Sequence, residues 1–130
     1  MDDLAFWQDG RMQLRCVIVD DDETFVEAAR DVLERDGVTV AGAAGSCAEA
    51  VQRAEALRPD VVLIDIRLGD ESGFDVARRL AGNEQAAALI LISTYAGADY
   101  EDLIAESPAV GFVAKAQLSG AAIRSVLGMD

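Results

Sequence analysis

The sequence contains no histidine among its 130 residues, and this absence excludes several kinds of chemistry at once. Without an imidazole as a general base, a Ser-His-Asp hydrolase is excluded. The two cysteines, Cys16 and Cys47, lie far apart and outside any C-x-x-C pattern. The usual zinc sites are therefore excluded, and a disulfide framework is disfavoured. Cys16 lies within an apolar run and is most simply a small core residue.

The sequence also lacks a membrane-spanning run, a low-complexity linker and a secretory signal. No apolar run approaches the roughly 18 residues that a membrane-spanning helix requires. With two prolines and eleven glycines, the chain has no long low-complexity linker. Its first residues, MDDLAFWQDG, are acidic and lack the basic start and apolar stretch of a secretory signal. These absences predict a cytoplasmic protein that does not contact a membrane.

Basic residues are few, and lysine is almost missing. The chain has 24 acidic and 11 basic side chains, giving a formal net charge of −13. Such a charge repels the phosphates of nucleic acids and anionic membranes, so we expect no direct binding to either. Lys115 is the only lysine beside ten arginines. Its position therefore requires a local explanation.

The residues that are present, 52% of them hydrophobic, indicate one folded α/β domain. Continuous Val/Ile/Leu runs predict strands buried on both sides, as in a parallel sheet. Amphipathic stretches between them predict helices, with Ser46 and Glu49 spaced as a capping box and Ser72 as an N-cap. The predicted strands cover 16–20, 38–42, 61–65, 89–93 and 110–115. The predicted helices cover 23–36, 47–57, 73–82, 99–106 and 119–127.

Polar side chains stand where four of the five predicted strands end. They are Asp20, Asp21 and Asp22 after the first, Asp65 after the third, Ser93 and Thr94 after the fourth, and Lys115 after the fifth. Carboxyl ends of parallel strands meet at one edge, where α/β folds bind ligands. Clustered carboxylates favour a bound cation, and all-oxygen ligands favour Mg²⁺. A carboxylate can also serve as the nucleophile in phosphoryl transfer, with lysine and hydroxyl groups stabilising the transferred group.

Each of these residues also has a purely structural interpretation. A single aspartate after a strand is commonly a helix N-cap, and Asp22 can be only that. Ser93 alone is typical of a turn, and a lone lysine is typical of solvated surface. The coincidence of an acidic triplet ending the first strand and the only lysine ending the fifth favours the functional interpretation.

Taken in order, the strand-end motifs resemble those of the receiver domains of two-component response regulators. The resemblance covers about residues 14–127 and rests on VIVDDDETF, VVLIDIRLGDESGFDVARRL, LILISTYAG and GFVAK. It implies a flavodoxin-like three-layer α/β/α sandwich with a five-stranded parallel sheet in the order 2-1-3-4-5. Residues 1–13 lie outside it as an N-terminal extension that we expect to be flexible, including Phe6 and Trp7. Residues 128–130 form a C-terminal tail.

The resemblance also implies a set of site residues. Asp65 would be the phosphoacceptor, aided by Ser93 and Lys115. Its metal site would hold Mg²⁺ through Asp20, Asp21, Asp65 and the backbone carbonyl of Arg67. Ser93 and Phe112 would form the conformational switch, although Phe112 in an apolar strand is also a plausible core residue.

Five positions depart from the common family pattern or border the site. Leu68-Gly69 stands where many members have Met-Pro, which predicts a looser loop after Asp65. Ala116 stands where proline is common after the lysine, which removes a cis peptide and could alter the last loop. Arg67 and Thr94 border the phosphoryl site, where side chains could change the lifetime of the phosphorylated form.

The implied function is a signalling module, either a stand-alone receiver or a piece of a longer regulator. Its partners would be a histidine kinase or histidine phosphotransfer protein and a downstream protein target. A homodimer through helix four, strand five and helix five is left open. The chain would catalyse only its own phosphorylation and dephosphorylation.

Two other functions compete with this interpretation. An aspartate-nucleophile phosphatase would need a second aspartate two residues after Asp65, where Arg67 stands. A phosphorylation-independent interaction module is disfavoured because the acidic pair, Asp65, Ser93 and Lys115 are all present.

Overall fold

The computed structural model describes residues 14–83, 87–95 and 97–129. The predicted N-terminal extension, with Phe6 and Trp7, lies outside the described residues, as does the last residue of the predicted C-terminal tail. In the part of the chain that is described, no helix is both long and apolar enough to cross a membrane.

Five parallel strands form the central sheet, in the order β2-β1-β3-β4-β5. The predicted fold class and strand order are therefore confirmed. The second strand lies at the edge of the sheet. The strands are β1 (Arg15–Val19), β2 (Thr39–Ala44), β3 (Val61–Asp65), β4 (Ala88–Ser93) and β5 (Gly111–Ala114).

Helices follow each strand and cover both faces of the sheet. They are α1 (Glu23–Arg35), α2 (Cys47–Leu57), α3 (Gly73–Ala81), α4 (Glu101–Glu106) and α5 (Gly120–Leu127). The predicted boundaries agree within two residues. At the fourth helix, the first two predicted residues belong to a 3₁₀ turn, Gly97–Tyr100, and only six residues are α-helical.

Side-chain caps explain where most helices begin. Asp22 caps α1 by accepting the backbone N–H groups of Thr24 and Phe25, which confirms its structural interpretation. Ser46 caps α2 and Ser72 caps α3, as the sequence predicts, and Ser119 caps α5. In the predicted capping box, the Glu49 carboxylate accepts the N–H of Gly45 rather than that of Ser46.

The sheet separates two hydrophobic clusters. One packs α2 and α3 against the sheet through residues such as Ile64, Phe74 and Leu80. The other packs α1 and α5 against the opposite face through residues such as Leu33 and Ile123. Cys16 belongs to the second cluster and is fully buried, and burial raises the pKa of its thiol to about 12. Cys16 is therefore an unreactive core residue, because its thiol stays protonated.

The segment after Asp65 is more regular than the sequence predicted. Arg67–Leu68 pairs antiparallel with Glu71–Ser72, and we call these four residues the post-Asp65 hairpin. Leu68 is only 1% exposed, and the Glu71 carboxylate accepts the N–H of Cys47 at 2.8 Å. A buried leucine and a bond to α2 thus hold the hairpin, and a loop looser than that of Met-Pro members stays a prediction. After Lys115, the last loop forms a 3₁₀ turn, Lys115–Gln117.

Candidate functional site

The sheet brings three of the predicted strand-end groups together. Strands β1 and β3 are neighbours, with Val19 paired to Ile64, so that the next residues, Asp20 and Asp65, emerge side by side. Lys115 follows β5 at the same edge of the sheet. The predicted convergence at the carboxyl edge is what the structure shows.

Three carboxylates form an acidic cluster, which we define as Asp20, Asp21 and Asp65. Their carboxylate oxygens lie within 4.8 Å of one another. Asp20 and Asp65 are 4% and 7% exposed, whereas Asp21 is exposed. The cluster is therefore buried on the side of the sheet and open to solvent on the side of Asp21.

Lys115 supplies the counter-charge to this cluster. Its Nζ atom lies 2.6 Å from Asp20 Oδ2 and 3.2 Å from Asp65 Oδ2. The two carboxylates also bind backbone groups, because Asp20 Oδ1 accepts the N–H of Asp22 and Asp65 Oδ1 accepts the N–H of Arg67. The only lysine of the chain is thus an internal ion-pair partner rather than a solvated surface residue.

The electrostatics of the cluster are visible in two pKa shifts. Burial, and then the negative charge of Asp20, raise the pKa of Asp65 against the opposing effects of the Arg67 N–H and Lys115. Burial lowers the pKa of Lys115, but its close interactions with the Asp20 and Asp65 carboxylates outweigh burial and raise it. One ammonium among three carboxylates therefore leaves the site short of positive charge.

The donor set of the cluster fits a hard divalent cation. Asp20 Oδ2 is buried and, among the described residues, has no aligned hydrogen-bond donor, although Lys115 Nζ is close to it. Carboxylate oxygens at this spacing suit Mg²⁺, which binds through one or two carboxylates and water. Beside the cluster, an open groove of about 500 Å³ is lined by further acidic side chains, Glu23, Glu27 and Glu49. A cation is attracted to this edge, and an anion is repelled from it unless a cation is present.

Comparison with known proteins settles the family. The model of the response regulator receiver domain matches residues 16–126. The chain belongs to this family. It is therefore a receiver domain of the kind found in two-component response regulators, as the motifs at the strand ends indicated.

Individual relatives support this membership. The chain is 28% identical over 102 residues to the DNA-binding transcriptional activator EvgA of Escherichia coli K12, covering 78% of this chain and 50% of EvgA. It is 35% identical over 83 residues to DevR/DosR of Mycobacterium tuberculosis, also a DNA-binding transcriptional activator, covering 63% of this chain and 38% of that protein. The chain thus spans about half the length, or less, of these curated relatives.

A solved structure agrees in fold. A two-component response regulator of the LuxR family from Aurantimonas sp. SI85-9A1 superposes with a TM-score of 0.79 at 25% identity. The similarity covers 90% of this receiver domain and 87% of the Aurantimonas chain.

The remaining predicted site residues of the receiver domain lie near the cluster, with partners of their own. Ser93 is 1% exposed, and its hydroxyl oxygen accepts the N–H of Tyr95, which is a turn interaction. It lies one residue beyond Ile92, the partner of Asp65 across β3 and β4. Arg67 presents its N–H to Asp65, and the metal-binding role of its carbonyl stays a prediction.

Phe112 and Thr94 line a second open groove, of about 630 Å³, between β5 and α5. Phe112 is half-buried and packs against the cluster that contains Phe74 and Leu80. This position is compatible with a core residue, and the switch role stays a prediction.

Two residues of the site region escaped sequence reasoning. Phe25 was visible only as part of the apolar stripe of α1, yet its ring lies 4.3 Å from Lys115 Nζ. Gly73 was visible only as the residue after an N-cap. A Cβ atom added there would lie 2.1 Å from the backbone oxygen of Asp65. A glycine after an N-cap is the one signal that could have drawn attention to this close approach.

Proposed function

We propose that this receiver domain accepts a phosphoryl group on Asp65 and signals by a change of conformation. The donor would be the phosphohistidine of a histidine kinase or histidine phosphotransfer protein. The observation that carries the proposal is a buried carboxylate, Asp65, within an acidic cluster that pairs with the ammonium of Lys115.

The proposed reaction is a displacement at phosphorus. A carboxylate oxygen of Asp65 attacks the phosphoryl group, the bond between phosphorus and the donor's histidine nitrogen breaks, and its electron pair remains on the imidazole. The product is an acyl phosphate on Asp65. Burial and the charge of Asp20 raise the pKa of Asp65, so a bound cation would stabilise the charge of this carboxylate while an anion approaches.

The residues around Asp65 would supply that positive charge. Asp20, Asp21, Asp65 and the Arg67 carbonyl would hold Mg²⁺, which when bound offsets negative charge on the transferring group. Lys115 already lies 3.2 Å from Asp65 Oδ2, so a small movement of its flexible side chain would pair it with a phosphoryl oxygen. The Ser93 hydroxyl would rotate to donate a hydrogen bond to another oxygen.

The proposed response lies on the face formed by α4, β5 and α5. Movement of Ser93 would relax the turn at Tyr95 and the packing at Phe112, because Ser93 is hydrogen-bonded to that turn. Exposed apolar side chains lie near or on this face: Tyr95, Leu103 and Val110 are each more than half exposed. A downstream protein, or a second copy of the chain, could recognise the altered face.

The target of this receiver domain would be a protein rather than nucleic acid. EvgA and DevR/DosR are DNA-binding activators, but the present chain corresponds to half or less of each. With a net charge of −13, the chain itself repels DNA.

We further propose that the protein does not turn over external phosphate esters. A phosphatase with an aspartate nucleophile needs an acid two residues later, and Arg67 occupies that position in the post-Asp65 hairpin. Hydrolysis of p-nitrophenyl phosphate with Mg²⁺ should remain at the background rate, and multiple turnovers would contradict this proposal.

The direct test is labelling by acetyl phosphate with Mg²⁺, followed by intact mass measurement. The wild type should gain one phosphoryl group, and Asp65→Asn should gain none because the nucleophile is absent. Asp31→Asn, on the exposed side of α1, removes the same charge away from the site and should label normally. Undiminished labelling of Asp65→Asn would contradict the proposed phosphoacceptor.

A further inference from the structure

The Lys115 ammonium has a third neighbour besides the two carboxylates. Its Nζ atom lies 4.3 Å from the centroid of the Phe25 ring, well inside the roughly 6 Å within which a cation is attracted to an aromatic face. The side chain of Lys115 is only 14% exposed, so water screens this contact weakly. The ammonium is therefore held between carboxylates on one side and an aromatic ring on the other.

The position of Phe25 follows from how α1 begins. Asp22 is the last residue of the loop between β1 and α1. Its carboxylate caps the helix by accepting the N–H of Phe25 itself. The same loop carries Asp20, whose Oδ1 accepts the N–H of Asp22. Two hydrogen bonds from backbone N–H groups to carboxylates thus fix the backbone of Phe25 relative to the carboxylate that pairs with Lys115.

We propose that Phe25 is a positioning residue, whose ring face holds the Lys115 ammonium at the acidic cluster ready to pair with the phosphoryl group. A lysine side chain loses considerable rotamer freedom when it is fixed, so any attraction that restricts it before the reaction lowers that cost during the reaction. The inference rests on the proposed function of Asp65 but concerns a residue outside the predicted site.

The alternative is that Phe25 serves only as apolar packing. It is half-buried and packs against the cluster that contains Leu33 and Ile123. Leucine would preserve most of that packing while removing the ring, whereas tyrosine and tryptophan would retain an aromatic face. The two roles therefore predict different outcomes for the same set of variants.

A test independent of phosphorylation uses the fact that Lys115 is the only lysine. In protein labelled with ¹³C-lysine, a single set of ε-methylene signals is expected, and the ring current of Phe25 should displace it from its position in a flexible lysine. Phe25→Leu should return the signal toward that position, while Phe25→Tyr should keep the displacement. A signal that is the same in wild type and Phe25→Leu would overturn the proposal.

A kinetic test then asks whether the contact matters for phosphoryl transfer. At subsaturating acetyl phosphate and saturating Mg²⁺, Phe25→Leu should label about 2- to 10-fold more slowly, the range expected for losing one cation–π contact. Phe25→Tyr and Phe25→Trp should restore most of the rate. Val32→Ala, two turns further along α1 and half-buried, controls for lost packing and should label at the wild-type rate.

The outcomes separate this inference from the proposed function. If the wild type does not label at all, the proposed function fails, and the lysine signal still tests the contact. If the wild type labels and Phe25→Leu labels equally fast, or tyrosine fails to rescue a slow Phe25→Leu, the positioning role is refuted.

Discussion

Helices α1 and α4 follow strands that both lead into the site, yet they are held very differently. Helix α1 has 13 residues, an Asp22 cap and the fully buried Leu33. Helix α4 has six residues, no side-chain cap, none of its residues buried, and Leu103 52% exposed. The α1 region thus presents Asp20 on a well-packed frame, and the α4 region has little burial to stabilise it.

This contrast suggests a division of labour within the fold. Asp20, Asp65 and Lys115 need precise placement, and buried strands with a capped helix provide it. A surface that must change conformation is drawn from weakly stabilised elements, because few buried contacts have to be broken. In our proposal, chemistry occurs on the side of α1 and the response occurs on the side of α4.

The largest expected effect comes from removing apolar bulk from each helix. Leu33→Ala should lower the free energy of unfolding by about 2–5 kcal/mol because it leaves a cavity in the core. Leu103→Ala should change it by less than about 0.5 kcal/mol because the residue is already half exposed to water and leaves no cavity in the core. Urea unfolding of the two variants measures the difference. Equal losses would contradict the comparison between α1 and α4.

A smaller effect is expected where α3 meets the phosphoacceptor. Gly73→Ala should destabilise by about 1–3 kcal/mol, because its Cβ would lie 2.1 Å from the Asp65 backbone oxygen. Labelling by acetyl phosphate should also slow as Asp65 is displaced. Gly82→Ala, at the other end of α3, meets nothing closer than 3.6 Å and should unfold at the wild-type urea concentration or higher. Equal unfolding midpoints in urea for the two variants would contradict the close approach between Gly73 and the Asp65 backbone.

The smallest effect concerns the charge of Asp65. Its pKa is raised above 3.8 in the folded state, so as pH rises past 3.8 the unfolded state releases this proton first. Stability relative to Asp65→Asn should therefore fall with rising pH and level off above the raised folded pKa. At pH 7 without Mg²⁺, Asp65→Asn should be more stable than the wild type. Mg²⁺ should reduce this difference in stability by binding to and stabilising the wild type.

Thermal unfolding across pH measures this difference, with Asp31→Asn as the control for a lost surface charge. The difference in stability between Asp31→Asn and the wild type should not change with pH in this way. A wild type that is more stable than Asp65→Asn at pH 7 without Mg²⁺ would contradict the idea that the acidic cluster is short of positive charge.

Much of this architecture could be predicted from sequence because its signals are local. Continuous apolar runs mark the strands, and Ser46 and Ser72 mark helix starts through hydrogen bonds to residues only a few positions away. The strand-end residues could be predicted to meet because parallel strands share one edge. Asp20, Asp65 and Lys115 do meet there.

What could not be predicted depends on contacts between distant segments. The post-Asp65 hairpin is held by Leu68 in the core and by Glu71, which binds the N–H of Cys47, 24 residues earlier. The contact of Phe25 with Lys115 joins opposite ends of the chain. The 3₁₀ start of the fourth helix, Gly97–Tyr100, has only four residues, which is too short for a helical period to show in the sequence.

The most direct test of the central claim is to locate the phosphoryl group on the chain. Protein labelled with acetyl phosphate and Mg²⁺ can be reduced with borohydride, which cleaves an acyl phosphate and converts that aspartate to homoserine, and the site is then found by peptide sequencing. We predict homoserine at position 65 and nowhere else. Modification at Asp20 or Asp21 instead, or a borohydride-resistant phosphate on Ser93, would contradict the account.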